Sequence, residues 1–146
     1  MKARTRARAV ALQALYEIDL TGHHPEAVLR ERVEAESLDE NMMAFAQEIV
    51  SGVLSYISEL DQFIASHAPE WPLEQIAIVD RNILRIALWE IALSENTPIK
   101  VAINEAVELA KIFGSDSAPR FVNGVLGSLA ARQNEIRQAF RHIIHS

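Results

Sequence analysis

The chain is predicted to be all-α, with about seven helices grouped into two helical subdomains of one domain, roughly 1–70 and 71–146. Three observations predict this. Apolar residues recur at spacings of three and four along almost the whole chain, which is the helical period. No segment alternates apolar and polar residues as a half-buried strand does. Breaks containing proline or glycine cut the chain into segments of helical length.

Each element has its own signal. Ala7, Val10, Ala11, Ala14, Leu15 and Ile18 share one face and predict a helix over 3–20. Gly22, His23, His24 and Pro25 end it, and a short helix follows over 25–35. "ESLDEN" then supplies a break, with Ser37 or Asp39 as cap of the next segment. Residues 40–67 read as one long amphipathic helix with a bend or close contact at Gly52. "APEWP" stops it near residue 70, where the subdomains meet, and Pro72 suits the first turn of a helix running to Ser94, with an early break allowed. In "NTPIK", Thr97 is the expected cap and Pro98 the first helical residue, and Gly114 closes that helix at 98–113. "SDSAP" caps a helix beginning "PRFVNGVLGSLA", and a last helix covers 135–144.

Two of these helices carry charge where apolar residues belong. In 76–94, Asp80 and Glu90 point into the arc of Ile76, Val79, Ile83, Ala87 and Ile91, while Arg81 and Arg85 lie opposite. The apolar arc of 98–113 is so wide that this helix reads as nearly buried and central, with Glu105 among Val101, Leu109 and Ile112. A carboxylate in an apolar arc requires a cation or donors. Either the acids form internal pairs, with Arg85 or Arg81 reaching Glu105, or Asp80 lies at a partner surface. Gly124 and Gly127 each cost about 1 kcal/mol against alanine inside a helix. With Asn123, Ala130 and Ala131 they form an almost bare stripe, whose expected use is close packing of another helix.

Composition narrows the function. A 146-residue chain with 49% apolar residues can bury a sizeable core and is not disordered. Without cysteine it has neither disulfides nor the common structural zinc sites. No apolar run reaches the length of a membrane span. Gln13, Glu17 and Asp19 interrupt the apolar stretch of the first helix, so a secretory leader is not expected, and a bacterial-type cytoplasm is. No nucleophile elbow, phosphate loop or zinc-protease motif occurs, and no histidine has the glutamate spacing of a di-iron bundle. His142 and His145 have metal-like spacing but sit at the chain's end, and "GVLG" lacks the strands of a KH domain. No catalytic residue, metal or cofactor is expected.

Charge is strongly polarised. Residues 1–16 carry Lys2, Arg4, Arg6 and Arg8 without an acid, whereas residues 17–74 hold 13 acids against Arg30 and Arg32. Such asymmetry is either a solvated helix face or the mark of an anionic partner. Arg4 and Arg8 are one helical turn apart, a spacing that can follow phosphates. Arg120 and Phe121 open a helix, where free N–H groups favour an anion and an aromatic ring can stack an unpaired base. Together these features point to single-stranded RNA.

Three blocks resemble the transcription antitermination factor NusB family. "RTRARAVALQALYEIDL" is similar to its arginine-rich first helix, and "VDRNILRIALWEI" to its central segment. "PIKVAINEAVELAKIFGSDSAPRFVNGVLG" resembles its most distinctive signature, while residues 20–70 match only in helical pattern. The resemblance implies a NusB-like fold that binds the boxA element of nascent ribosomal RNA as a heterodimer with the ribosomal protein NusE. That complex joins other Nus factors on RNA polymerase to suppress termination. Carried over, the RNA side comprises Lys2, Arg4, Arg6, Arg8, Arg120 and Phe121, with Asn123 beside them, and the partner side Asp80 and Tyr16. Thr5 stands where many members have another basic residue, which makes the arm thinner. Some members form homodimers. A similar domain precedes certain ribosomal RNA cytosine methyltransferases, but no βαβ region or catalytic cysteine follows here. The rival expectation is a protein-only adaptor or homodimer without RNA binding.

Overall fold

The computed structural model describes residues 2–68, 71–94 and 97–145. Its helices are α1 (Ala3–Thr21), α2 (Pro25–Glu36), α3 (Glu40–Ser55), α4 (Ile57–His67), α5 (Ile78–Ala92), α6 (Ile99–Phe113), α7 (Ala118–Ala130) and α8 (Gln133–Ile144), with a short 3-10 turn at Leu73–Gln75. Eight α-helices and no strand occur among the described residues, so the all-α class stands.

The extra helix comes from the predicted 40–67 segment. It is interrupted at Tyr56 rather than bent at Gly52, because Tyr56 leaves helical geometry at φ −121° and ψ 26°. The chain divides into two compact units at this point, Met1–Tyr56 and Ile57–Ser146, whereas the sequence places the meeting point near residue 70.

In the first unit α1 packs against α2 and α3. Gly22 ends α1 at φ 71°, a left-handed conformation that glycine adopts without a Cβ penalty, and its N–H donates to the Ile18 carbonyl. Pro25 occupies the first turn of α2, and Asp39 caps α3 by accepting from the Met42 N–H at 2.8 Å. Ser37 instead closes α2, at φ 53°. Ala7, Val10, Ala11, Ala14 and Leu15 of α1, Val28 and Val33 of α2, and Phe45, Ile49 and Val53 of α3 are buried.

The second unit is built around α5, which contacts α4, α6, α7 and α8. All of Asn82–Ala92 is buried. The expectation that 98–113 would be the buried central helix is therefore corrected: α6 leaves Val101 40% and Ile112 51% exposed. A wide apolar arc marks a helix with much to cover, but only the neighbours decide how much is covered.

The charged residues of α5 sort differently from expectation as well. Arg85, 4% exposed, turns to α4: its Nε and Nη2 donate to the two carboxylate oxygens of Asp61, each at 2.8 Å. Its Nη1 donates to Asn82 Oδ1 at 3.1 Å. This bidentate geometry offsets the desolvation that buries a guanidinium. Glu90 accepts from the Thr97 hydroxyl at 3.2 Å. Thr97 thus braces the buried acid and does not cap α6, whose N-cap is Pro98. Arg137 Nε donates to the Ile91 carbonyl at 2.8 Å and ties α8 to the end of α5.

Candidate nucleic-acid interface

The basic arm is the first turn and a half of α1. Helical spacing places Arg4 and Arg8 on one face, and the face meets Phe45 of α3. The Arg4 guanidinium carbon lies 3.7 Å from the Phe45 ring centroid, and that of Arg8 lies 5.2 Å away. Both are within cation–π range. Arg6 projects to the side and donates to the Glu36 carbonyl at 2.7 Å, so the arm is tied to the end of α2. Lys2 and Arg4 are exposed and Arg6 is partly exposed.

Arg8 is the exception. It is only 2% exposed, so it cannot serve as the surface phosphate contact that spacing alone assigns to it. Its charge sits behind Arg4, next to the same ring.

Further along α1, Tyr16 is 39% and Leu20 55% exposed. One turn apart, they form an apolar ridge on α1. Leu20 was invisible as a candidate in the sequence, because a leucine near a helix end reads as ordinary core.

In the second unit, α7 begins at Ala118 with Pro119 in its first turn, and no side chain caps it. Pro119 has no N–H, and the Ala118 and Phe121 N–H groups donate to the Ser115 and Ser117 carbonyls, so what this helix start offers an anion is chiefly its dipole and the Arg120 side chain. Arg120 is exposed there, Phe121 is half-buried beside it, and Asn123 is exposed one turn on. Val122, Val125, Leu126 and Leu129 hold the opposite face of α7 in the core.

The glycine stripe does not do what the sequence suggests. A Cβ built at Gly124 or Gly127 meets nothing within 4 Å among the described residues, so none of them packs closely there. Close approach occurs instead at Gly114, where a Cβ would lie 2.6 Å from Ala118 Cβ, 2.9 Å from the Ala110 carbonyl and 3.0 Å from Asp80 Oδ1. Gly114 lets the α6–α7 turn fold back tightly, which sets the start of α7 beside the first turn of α5.

Asp80 stands at that junction, in the first turn of α5 and 8% exposed. Its Oδ1 is buried without a hydrogen-bond partner among the described residues. Burial pushes its carboxyl above the usual carboxylate range.

A helical chain with a braced basic arm and an uncapped, arginine-flanked helix start belongs among the all-α binding proteins. More specifically, the chain belongs to the NusB family, whose family model matches residues 5–131. It is 48% identical to the transcription antitermination protein NusB of Roseiflexus sp. (strain RS-1), over 92% of this chain and 96% of the relative. With the protein of that name from Bacillus pumilus (strain SAFR-032) it shares 42% identity, over 94% of this chain and 99% of the relative. Its fold is similar to the solved structure of T. maritima NusB, with TM-score 0.82 and 32% identity over 88% of this chain and 90% of that one. It is equally similar, at TM-score 0.82 and 28% identity, to a chain in the crystal structure of antitermination factors NusB and NusE in complex with dsRNA, covering 90% of this chain and 98% of that one.

Proposed function

We propose that this chain is a transcription antitermination factor. It binds boxA-type single-stranded RNA of ribosomal RNA leaders together with the ribosomal protein NusE, and acts in the cytoplasm with other Nus factors on RNA polymerase. The observation that carries the reading is the basic arm at the start of α1, four cations on an otherwise acidic chain, of which Arg4 and Arg8 lie over Phe45 and Arg6 is tied to the Glu36 carbonyl. The likeness to a chain solved with NusE and dsRNA supports the part of the reading that pairs RNA binding with NusE.

The roles divide by chemistry. Lys2, Arg4 and Arg6 neutralise phosphates, and Arg8 supports them from the buried side. At the start of α7, Arg120 takes a phosphate with the help of the helix dipole, Phe121 stacks an unpaired base, and Asn123 offers an amide to a base edge or backbone oxygen. Tyr16 and Asp80 belong to the NusE side, Tyr16 through its exposed ring and Asp80 through its place in the first turn of α5. The work is binding and orientation, with no bond made or broken.

Anisotropy of a labelled boxA leader RNA, with and without NusE and over a salt series, tests the reading. Binding is expected to tighten with NusE, and the three arm contacts with that of Arg120 give a log–log salt slope of about −3. The same RNA annealed into a duplex hides its base faces, so a preference for the single strand is expected, and Phe121→Ala should abolish about 1–3 kcal/mol of it. Absence of salt-dependent RNA binding, with NusE association intact, would replace this reading with the protein-only adaptor.

A further inference from the structure

We infer that Phe45, a buried α3 residue outside the RNA-contacting set, is a positioning residue that sets the RNA affinity of the basic arm by fixing the Arg4 guanidinium. The inference rests on the RNA reading above and names how that site is built.

Phe45 is 7% exposed, while Arg4 over its ring is exposed. At 3.7 Å the guanidinium carbon is in van der Waals contact with the ring face. An exposed arginine on the first turn of a helix would otherwise sample many side-chain conformations, and ordering it against a phosphate carries an entropic cost. The ring removes most of that cost beforehand. With its carbon held over the ring and the side chain exposed, the guanidinium keeps N–H groups for a contact with phosphate oxygens. Arg8, 2% exposed and 5.2 Å from the same ring centroid, adds a second cation beside it. The α1 backbone is held as well, through Arg6 on the Glu36 carbonyl. The arm is therefore a preformed cradle whose floor is an aromatic residue of another helix.

The distinguishing chemistry is the π face, since leucine can fill the same space without attracting a cation. Phe45→Leu, Phe45→Trp and Arg4→Lys in the full chain, and the double variant Phe45→Leu/Arg4→Lys, are compared by boxA RNA anisotropy with NusE present and by thermal melting. Phe45→Leu is expected to weaken RNA binding about three- to tenfold with an unchanged salt slope, because every charge remains while preorganisation is lost. Phe45→Trp should bind like wild type, since indole is the better cation–π partner. Arg4→Lys keeps its charge but cannot stack, so it should lose affinity similarly, and the double variant no more than the worse single one. Leucine and tryptophan variants with equal affinity, or additive losses in the double variant, overturn the inference. A wild-type protein that fails to bind the RNA at all overturns the RNA reading instead.

Discussion

The glycines of the α6–α7 region allow a prediction in which one substitution has opposite effects at different sites. Gly124 and Gly127 lie inside α7, exposed, with open space where a Cβ would project. Alanine there adds no clash and removes the backbone freedom that glycine enjoys in the unfolded chain, a gain of about 0.8–1 kcal/mol at each position. The pair together should stabilise the protein by about 1–2 kcal/mol and raise the melting temperature by about 2–8 °C. Gly114→Ala has no such room. Its Cβ would be driven to 2.6 Å from Ala118 Cβ and 2.9 Å from a backbone carbonyl, neither of which is the end of a flexible side chain. The α6–α7 turn must open, at a cost of about 1–3 kcal/mol. Because the same turn sets where α7 starts, Gly114→Ala should also weaken the contact made by Arg120 and Phe121. Urea unfolding of both variants, read at the midpoint with the slope as a check on cooperativity, measures the two signs. A destabilised Gly124→Ala/Gly127→Ala protein, or a Gly114→Ala protein as stable as wild type, would refute the reasoning.

Further expectations concern the charged groups. Burial raises the Asp80 pKa, so its protonated form favours folding and that contribution is lost as pH rises through the raised value. Asp80→Asn should therefore be more stable than wild type at neutral pH, with the gap closing as pH falls through the carboxylate range, yet lose about 2–5 kcal/mol of NusE affinity; calorimetry in a pH series and a NusE titration check both halves. Arg4→Ala should lower the RNA salt slope by about 0.7 at little cost in stability, whereas Arg8→Ala should cost about 1–3 kcal/mol of stability because it empties a buried site. Asp61→Ala should cost about 3–5 kcal/mol by removing both carboxylate contacts of the buried Arg85 guanidinium, and Asp61→Ala/Arg85→Met should recover much of it, as a denaturant series of the two proteins would show.

Helical period, breakers and caps are local properties, and they determined the all-α class, the order of the helices and most of their limits from the sequence by itself. The basic arm was legible for the same reason, since charge excess over residues 1–16 requires no fold to be seen. The signature around Asn104 and Phe121 likewise pointed to the family without coordinates. What the tertiary structure alone decided was which neighbour each face meets. Arg8 looked like Arg4 in the sequence, and only burial separates a phosphate contact from a support. Phe45 was indistinguishable from core until two guanidiniums were found over its ring. A wide apolar arc on α6 and a bare stripe on α7 predicted packing that the structure gives to α5 and to Gly114. Arg85 had several acids within reach along the chain, and the fold selected Asp61, 24 residues away. Periodicity tells which side of a helix is apolar, but contact between distant segments depends on how the helices are stacked, and stacking is a property of the whole chain.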